Sequence, residues 1–175
     1  MTEKLKKIKA LAFDVDGVLT DGKMLATADG DMLRCFDAKD SFAMRMAAML
    51  GMPLAFITGG CSESILKRGR YVGILPEDIY LHSRDKLKDF RDFCSRHGLA
   101  PDEVMYFGDD MPDIPVLKAC GVGAVPSDGA LEAREAADYV SPYGGGHGFV
   151  RHTIEMLLKI QGAWQLDVEK YESMF

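Results

Sequence analysis

The segment from Ala10 to Thr20, ALAFDVDGVLT, restricts what this chain can fold into more than any other part of the sequence. An apolar run typical of a buried strand ends there in two aspartates, and a glycine follows them directly. Side chains alternate between the two faces of a strand, so Asp14 and Asp16 are expected on the same face. Two carboxylates on the same face, two residues apart, repel each other. A fold tolerates them when a cation lies beside them or when one carboxyl stays protonated. The alternative is a turn with two solvated carboxylates and no chemistry, and this segment alone leaves both interpretations open.

The composition fits a single globular domain, which we expect to span residues 1–175. The chain has 175 residues, of which 47% are hydrophobic, and it carries a formal net charge of -6. This size and apolar content suffice for one core, and the acidic balance argues against nucleic acid as a partner. The basic start precedes an apolar run that Asp14 interrupts, so we expect neither a signal peptide nor a membrane span.

The cysteines are widely separated along the chain. They are Cys35, Cys61, Cys94 and Cys120. Because none forms a CxxC pair or lies near a histidine pair, we expect reduced thiols in a cytoplasmic protein, with neither a disulfide framework nor a zinc site.

Strand and helix patterns alternate along the sequence. Strands are predicted over residues 8–13, 53–57, 78–81, 103–107, 122–125 and 139–140. Helices are predicted over about residues 41–51, 62–73, 85–97, 130–137 and 150–162, with a further one ending at 119. Asp40 or Ser41 is the predicted N-cap of the first helix. Two short apolar runs flank Asp29-Gly30, so a β-hairpin is expected over residues 22–36.

This alternation indicates a doubly wound α/β fold with a parallel sheet and helices on both faces. Ligands of such sheets bind outside the carboxyl ends of the strands, near the switch in strand order. Asp14, Thr58 and Asp109 each follow a predicted strand. We therefore expect these three segments to meet in one crevice, which favours a functional site over a solvated turn.

The residue types gathered there suit phosphoryl transfer. Carboxylates without nearby histidine or cysteine favour a hard cation such as Mg²⁺. Lys86, the Thr58 hydroxyl and the N–H groups of Gly59 and Gly60 can stabilise an anion beside that metal. Asp14 can attack phosphorus, and Asp16 can protonate the leaving oxygen and then deprotonate a water molecule.

Four ordered motifs resemble those of the haloacid dehalogenase-like phosphatases: Asp14-x-Asp16-Gly-Val, Ile57-Thr58-Gly59, Lys86, and Gly108-Asp109-Asp110-x-x-Asp113. The resemblance implies that Asp14 is the nucleophile, Asp16 the general acid and base, Thr58 a donor to the phosphoryl group and Lys86 the charge neutraliser. Magnesium would be held by Asp14, the backbone carbonyl of Asp16, and Asp109. Asp113 would support these ligands, while Asp110 is either a further support or solvated.

The rest of the chain is similar to the 3-deoxy-D-manno-octulosonate 8-phosphate phosphatases. The gaps between motifs are too short for a cap domain, and the similarity includes the hairpin and five further features. These are Thr20-Asp21-Gly22, Phe36-Asp37-x-x-Asp40, Arg68, the glycine-rich stretch from 144 onward, and Arg151. The resemblance implies a homotetramer in which a neighbouring subunit's tail closes each site. Within that tail, which spans about residues 144–175, the glycine-rich stretch from Gly144 to Arg151 is the candidate segment. It also places Thr58, Gly59, Gly60, Arg68 and Arg151 at the substrate.

Three departures from that family lie where the sugar should bind. Gly60 stands where many members have arginine, His82-Ser83-Arg84 replaces a Gln-Gly stretch, and Ser41 replaces a glycine. The resemblance makes the eight-carbon sugar acid phosphate the first substrate prediction. Because of these departures, a nine-carbon ulosonate 9-phosphate is the second. Two other classes stay open: a phospho-acceptor receiver domain, whose motif order differs, and a non-catalytic oligomerisation module.

Overall fold

The computed structural model describes residues 1–173 as a six-stranded parallel sheet flanked by helices, with a separate two-stranded hairpin. The strands are β1 (Ala10–Phe13), β2 (Leu25–Ala26), β3 (Met32–Leu33), β4 (Leu54–Ile57), β5 (Ile79–Tyr80), β6 (Val104–Phe107), β7 (Val122–Val125) and β8 (Tyr139–Val140). The helices are α1 (Thr2–Lys7), α2 (Ala38–Met49), α3 (Glu63–Tyr71), α4 (Lys86–Arg96), α5 (Ile114–Leu117), α6 (Leu131–Ala136), α7 (Phe149–Ile160) and α8 (Val168–Ser173). The predicted doubly wound α/β fold is confirmed.

The first strand lies in the middle of the sheet. The strand order is β5-β4-β1-β6-β7-β8, and every neighbouring pair is parallel. Phe13 at the end of β1 pairs with Phe56 of β4 on one side and Phe107 of β6 on the other. The order therefore switches direction at β1, and the carboxyl ends of β1, β4 and β6 lie side by side. Such a switch point is where open α/β sheets bind ligands.

The core consists of one apolar layer on each face of the sheet. Alternate residues of β1 face opposite layers, as the pleat of a strand requires: Leu11 and Phe13 pack on one face, Ala10 and Ala12 on the other. Helices α1, α2, α3 and α7 cover the first face, whereas α4, α5 and α6 cover the second. Phe13 stacks on Phe107 with their ring centroids 4.5 Å apart. This packing joins the ends of β1 and β6.

The predicted hairpin is present, with shorter strands than its apolar runs suggested. Leu25 pairs with Leu33 and Ala26 with Met32 in antiparallel register. Its apolar side chains are exposed, from 44% for Met32 to 68% for Leu25. The single chain thus leaves apolar surface on the hairpin uncovered.

Two local predictions are wrong. The N-cap of α2 is Asp37, whose side chain accepts hydrogen bonds from the N–H groups of Lys39 and Asp40, whereas Asp40 or Ser41 was expected. The basic start of the chain, assigned no helix, forms α1, where Leu5 is buried against the core. Within residues 1–173, no helix combines the length and apolar character needed to cross a membrane.

Candidate active site

The three strand ends that the sequence predicts to converge line one cavity of about 740 Å³. Asp14 follows β1, Thr58 follows β4 and Asp109 lies two residues after β6. Other predicted site residues that line it are Asp16, Gly59, Gly60, Lys86, Asp110 and Asp113. The predicted convergence is confirmed.

Lys86 lies between two buried carboxylates at the floor of this cavity. Its Nζ is 3.1 Å from Asp14 Oδ2 and 2.6 Å from Asp113 Oδ1. Burial alone would lower the pKa of Lys86, but the two carboxylates outweigh burial and raise that pKa above its ordinary value. Lys86 is therefore a fixed positive charge beside Asp14, and it begins helix α4 immediately after the N-cap Asp85.

Asp113 organises the loop that carries Asp109. It is completely buried and accepts four hydrogen bonds, from Lys86 Nζ, the Tyr106 hydroxyl, and the backbone N–H groups of Asp109 and Asp110. Four donors satisfy the hydrogen-bonding capacity of this carboxylate. Asp113 therefore positions Lys86 and the backbone of the Asp109 loop. The Asp110 side chain caps the following turn by accepting from the N–H of Met111.

Asp14 and Asp109 form the part of the carboxylate cluster that is available to a metal. Oxygen atoms of Asp14, Asp109 and Asp113 lie within 4.8 Å of one another, and those of Asp113 already accept four hydrogen bonds. Burial, reinforced by the neighbouring carboxylates, raises the pKa of Asp14 and raises that of Asp109 to about 8. Both ionised carboxylates can coexist there when a cation offsets their repulsion. An all-oxygen donor set of this kind fits Mg²⁺.

Gly17 explains why a glycine must follow the two aspartates. Its φ is +87°, and a Cβ at this position would lie 2.0 Å from Asp109 Oδ2. Any larger residue would be strained and would displace Asp109. The glycine therefore lets the loop after β1 approach the carboxylate that follows β6.

Asp16 is bound by an arginine that the sequence analysis did not identify. Arg34, just after β3, donates from Nε to Asp16 Oδ1 at 2.6 Å and from Nη2 to Asp16 Oδ2 at 2.9 Å. Its Nη1 also donates to the Met32 carbonyl and to Ser62 Oγ, each at 3.0 Å. The side chain is only 4% exposed. A single arginine in an apolar hairpin that follows two site aspartates was the available signal.

The turn after β4, which contains Thr58, Gly59 and Gly60, forms one wall of the cavity. Thr58 is buried, and its hydroxyl accepts from the N–H of Gly60 at 3.1 Å. A Cβ at Gly60 would lie 2.8 Å from Ile65 Cδ1 and 3.1 Å from Arg34 Nη2. The absence of a side chain at Gly60 thus makes room for Arg34.

Arg68 and Arg151, the two other predicted substrate residues, lie outside this cavity within the described chain. Arg68 donates to Ser41 Oγ and stacks over the Phe36 ring at 5.2 Å. Arg151 pairs with Glu155 at 2.8 Å and lies over the Trp164 ring at 4.7 Å. The contact of Arg68 and Arg151 with the substrate stays a prediction.

The glycine-rich stretch packs against the catalytic loop of its own chain. A Cβ at Gly145 would lie 1.8 Å from the Gly17 carbonyl oxygen, and Gly146 N–H donates to the Val18 carbonyl at 3.0 Å. The helix that follows, α7, is buried in the core. The closure of a neighbouring subunit's site by the stretch from Gly144 to Arg151 stays a prediction.

Comparison with known proteins agrees with this geometry. The sequence pattern of the haloacid dehalogenase-like hydrolases matches residues 75–151. The chain is 34% identical over 171 residues to the 3-deoxy-D-manno-octulosonate 8-phosphate phosphatase of Salmonella typhi, covering 98% of this chain and 89% of that protein. The corresponding Haemophilus influenzae protein is 31% identical over 162 residues, covering 93% of this chain and 89% of that one.

Solved structures give the same result. The Moraxella catarrhalis 3-deoxy-D-manno-octulosonate 8-phosphate phosphatase, in complex with magnesium, phosphate and the octulosonate, matches with a TM-score of 0.88 at 30% identity, covering 99% of this chain and 97% of that one. The Yersinia pestis enzyme matches with a TM-score of 0.89 at 28% identity, covering 93% and 86%. The chain belongs to the 3-deoxy-D-manno-octulosonate 8-phosphate phosphatase family of the haloacid dehalogenase-like hydrolases.

Proposed function

We propose that this protein is a magnesium-dependent phosphatase that hydrolyses 3-deoxy-D-manno-octulosonate 8-phosphate to the free sugar acid and phosphate. The observation that carries the proposal is the position of Asp14, with a fixed lysine on one side and Asp109 on the other, at the floor of an open cavity. The relatives that match nearly the whole chain are named for this reaction.

The proposed metal ligands are Asp14, the backbone carbonyl of Asp16, and Asp109. Magnesium would neutralise charge on the phosphoryl oxygens and on the nucleophile. The all-oxygen character of the cluster supports this choice over zinc. Asp113 holds Lys86 and the loop of Asp109 in place, and Asp110 supports the same turn.

Asp14 is the proposed nucleophile. Its carboxylate oxygen attacks phosphorus, the bond from phosphorus to the sugar oxygen breaks, and the phosphoryl group is transferred to Asp14. Lys86 offsets negative charge during this transfer, since its Nζ is 3.1 Å from Asp14 Oδ2. Thr58 and the N–H groups of Gly59 and Gly60 are proposed to bind the phosphoryl oxygens. Arg68 and Arg151 are also proposed to contact the substrate, Arg151 from the tail of a neighbouring subunit.

Asp16 is the proposed general acid and base. It donates a proton to the departing sugar oxygen, and its carboxylate then removes a proton from the water that attacks phosphorus and releases phosphate. Arg34 occupies both oxygens of Asp16 in this structure. Both oxygens of Asp16 are therefore hydrogen-bond acceptors in this arrangement. Proton donation requires Asp16 to loosen from Arg34 in the substrate complex.

We further propose a cytoplasmic homotetramer assembled through the hairpins. Support comes from the exposed apolar side chains of Met24, Leu25, Met32 and Leu33, which edge-to-edge pairing would cover. The separated, unpaired cysteines suit a reducing compartment. Light scattering tests the tetramer, and cell fractionation tests the location.

A substrate panel tests the reaction. Phosphate release is measured with and without magnesium. The substrates are the eight-carbon sugar acid phosphate, a nine-carbon ulosonate 9-phosphate, D-arabinose 5-phosphate, and acetyl phosphate as a phosphoryl donor for a receiver domain. We expect magnesium-dependent turnover with the highest kcat/KM for the eight-carbon substrate. A higher kcat/KM for the nine-carbon compound would reassign the substrate, and absence of turnover on every phosphate monoester would refute the phosphatase.

A further inference from the structure

The cations that line the active-site cavity differ in how they are already paired. Within residues 1–173 the cavity wall contains three basic side chains, Arg34, Arg84 and Lys86. Lys86 is paired with two carboxylates, and Arg34 is bound to Asp16 through two hydrogen bonds. Arg84 makes no ion pair or hydrogen bond with any side chain in this part of the chain. Its positive charge is therefore the one that remains for a ligand.

The backbone that carries Arg84 is fixed against the turn after β4. His82 N–H donates to the Gly60 carbonyl at 3.0 Å, and Ser83 N–H donates to the Thr58 carbonyl at 2.9 Å. Ser83 is buried, and its hydroxyl donates to Asp89 Oδ2 at 2.6 Å. His82 adopts a φ of +52°, a left-handed conformation that is uncommon for a residue with a side chain. Strain of this kind persists where surrounding contacts enforce it.

The guanidinium of Arg84 lies next to open space on the cavity wall. Its Nη1 is 4.0 Å from the position that a Cβ of Gly59 would occupy. Because neither Gly59 nor Gly60 has a side chain, the wall there consists of backbone only. An anionic group of a ligand could therefore contact Arg84 beside this turn.

The substrate needs such a cation. Six aspartates line the cavity: Asp14, Asp16, Asp31, Asp109, Asp110 and Asp113. A sugar acid phosphate has a phosphate at one end and a carboxylate at the other, and Lys86 with the metal neutralises only the phosphate end. A carboxylate left without a cation in this acidic cavity would be repelled.

We propose that Arg84 binds the carboxylate of the sugar acid and so selects sugar acid phosphates over neutral sugar phosphates. This inference rests on the proposed function of the site. Guanidinium and carboxylate groups pair through two parallel hydrogen bonds, which gives orientation as well as charge neutralisation. Arg84 is thus a specificity-determining residue on the cavity wall beside the turn after β4.

The test compares two substrates in three variants. Wild type, Arg84→Ala, Arg84→Lys and the control Arg91→Ala, an exposed arginine of α4 outside the cavity, are assayed on the eight-carbon sugar acid phosphate and on D-arabinose 5-phosphate, which has no carboxylate. We expect Arg84→Ala to raise KM for the sugar acid phosphate by about 10- to 100-fold with a small change in kcat. Arg84→Lys should restore part of the lost affinity. The KM for D-arabinose 5-phosphate should be unchanged in both variants.

Two results separate the inference from the function on which it rests. Equal losses on both substrates in Arg84→Ala, or no loss on either, would overturn the role of Arg84 and leave the phosphatase intact. Wild-type protein that prefers D-arabinose 5-phosphate would refute both the proposed substrate and this role. Weaker inhibition of the Arg84→Ala variant by the free sugar acid, with unchanged inhibition by inorganic phosphate, would support carboxylate binding independently of turnover.

Discussion

Tyr106→Phe tests whether the buried network around Asp113 supports the site. Tyr106 lies in β6 and is fully buried, and its hydroxyl donates to Asp113 Oδ1 at 2.6 Å. The ring packs edge-on against Phe90 with the centroids 6.2 Å apart. Phenylalanine keeps this packing and removes only the hydroxyl. Burial, together with the charges of Asp113 and Asp14, raises the pKa of Tyr106 well above its ordinary value, so the hydroxyl remains a donor at all relevant pH values.

The expected cost follows from the charge on the acceptor. A hydrogen bond to a charged group contributes about 1.5–3 kcal/mol net to stability. Asp113 keeps Lys86 and two backbone donors in the variant, so we expect a loss near the middle of that range, about 2 kcal/mol. For a chain of 175 residues, each kcal/mol lowers Tm by about 2–4 °C. Tm should therefore fall by about 4–8 °C.

Thermal and denaturant unfolding measure this loss of stability. A chelator is present so that bound metal does not contribute to the measured free energy. Tyr80→Phe is the matched control, because the Tyr80 hydroxyl makes a 2.7 Å hydrogen bond to Asp92 on the surface. We expect that control to change the free energy of unfolding by about 0.5 kcal/mol or less. Equal losses in the two variants would refute the reasoning, since the buried charge would then contribute nothing beyond an exposed hydroxyl.

Four further predictions concern chemistry, metal, pH and assembly. Asp14→Asn should reduce phosphate release by at least about 10³-fold while circular dichroism stays native, because an amide does not attack phosphorus; substantial residual turnover would exclude the covalent route. Chelation should abolish phosphate release, magnesium should restore it, and calcium should inhibit, because its looser coordination misplaces the reacting groups; best activity with zinc would contradict the all-oxygen site. Burial raises the pKa of Asp40 from 3.8 to about 6, so its contribution to stability is complete below pH 4 and is lost as pH rises through 6. Asp40→Asn should therefore gain stability relative to wild type between pH 4 and 8, by roughly 3 kcal/mol at most, and denaturant titrations showing a pH-independent difference would contradict this. Leu25→Asp combined with Leu33→Asp should lower the mass measured by light scattering to that of the monomer, and an unchanged mass would exclude the hairpin as the interface.

The convergence of the catalytic segments could be predicted because it depends on the pleat and on strand direction. Residues that follow parallel strands must lie at one edge of the sheet, so Asp14, Thr58 and Asp109 meet whatever the details of packing. The apolar runs before them are fully buried, as continuous apolar strands covered on both faces should be. Local pattern therefore sufficed for the positions of these side chains.

The cap of α2 could not be predicted, because a distant contact decides it. Asp37 and Asp40 are both good N-cap residues and lie three positions apart. Asp40 Oδ1 instead accepts a hydrogen bond from the backbone N–H of Arg151 at 2.7 Å, across 111 residues of sequence. Asp37 is left to cap its own helix. The local sequence favours Asp37 and Asp40 equally as N-cap. The packing of α7 against α2 decides between them, because Arg151 of α7 binds Asp40.

The contact between Arg34 and Asp16 links the hairpin to the chemistry. The same hairpin exposes Leu25 and Leu33 on its strands and, through Arg34, holds both oxygens of Asp16. Contacts that shift the hairpin should therefore shift Arg34 and change how firmly Asp16 is held. Covering the exposed strands in an assembly would fix the hairpin, whereas in a free monomer Arg34 would hold it through Asp16 and Ser62. Residues 1–173 contain no inserted cap domain, so the proposed assembly and the proposed proton transfer at Asp16 would both depend on one segment of 15 residues, from Gly22 to Phe36.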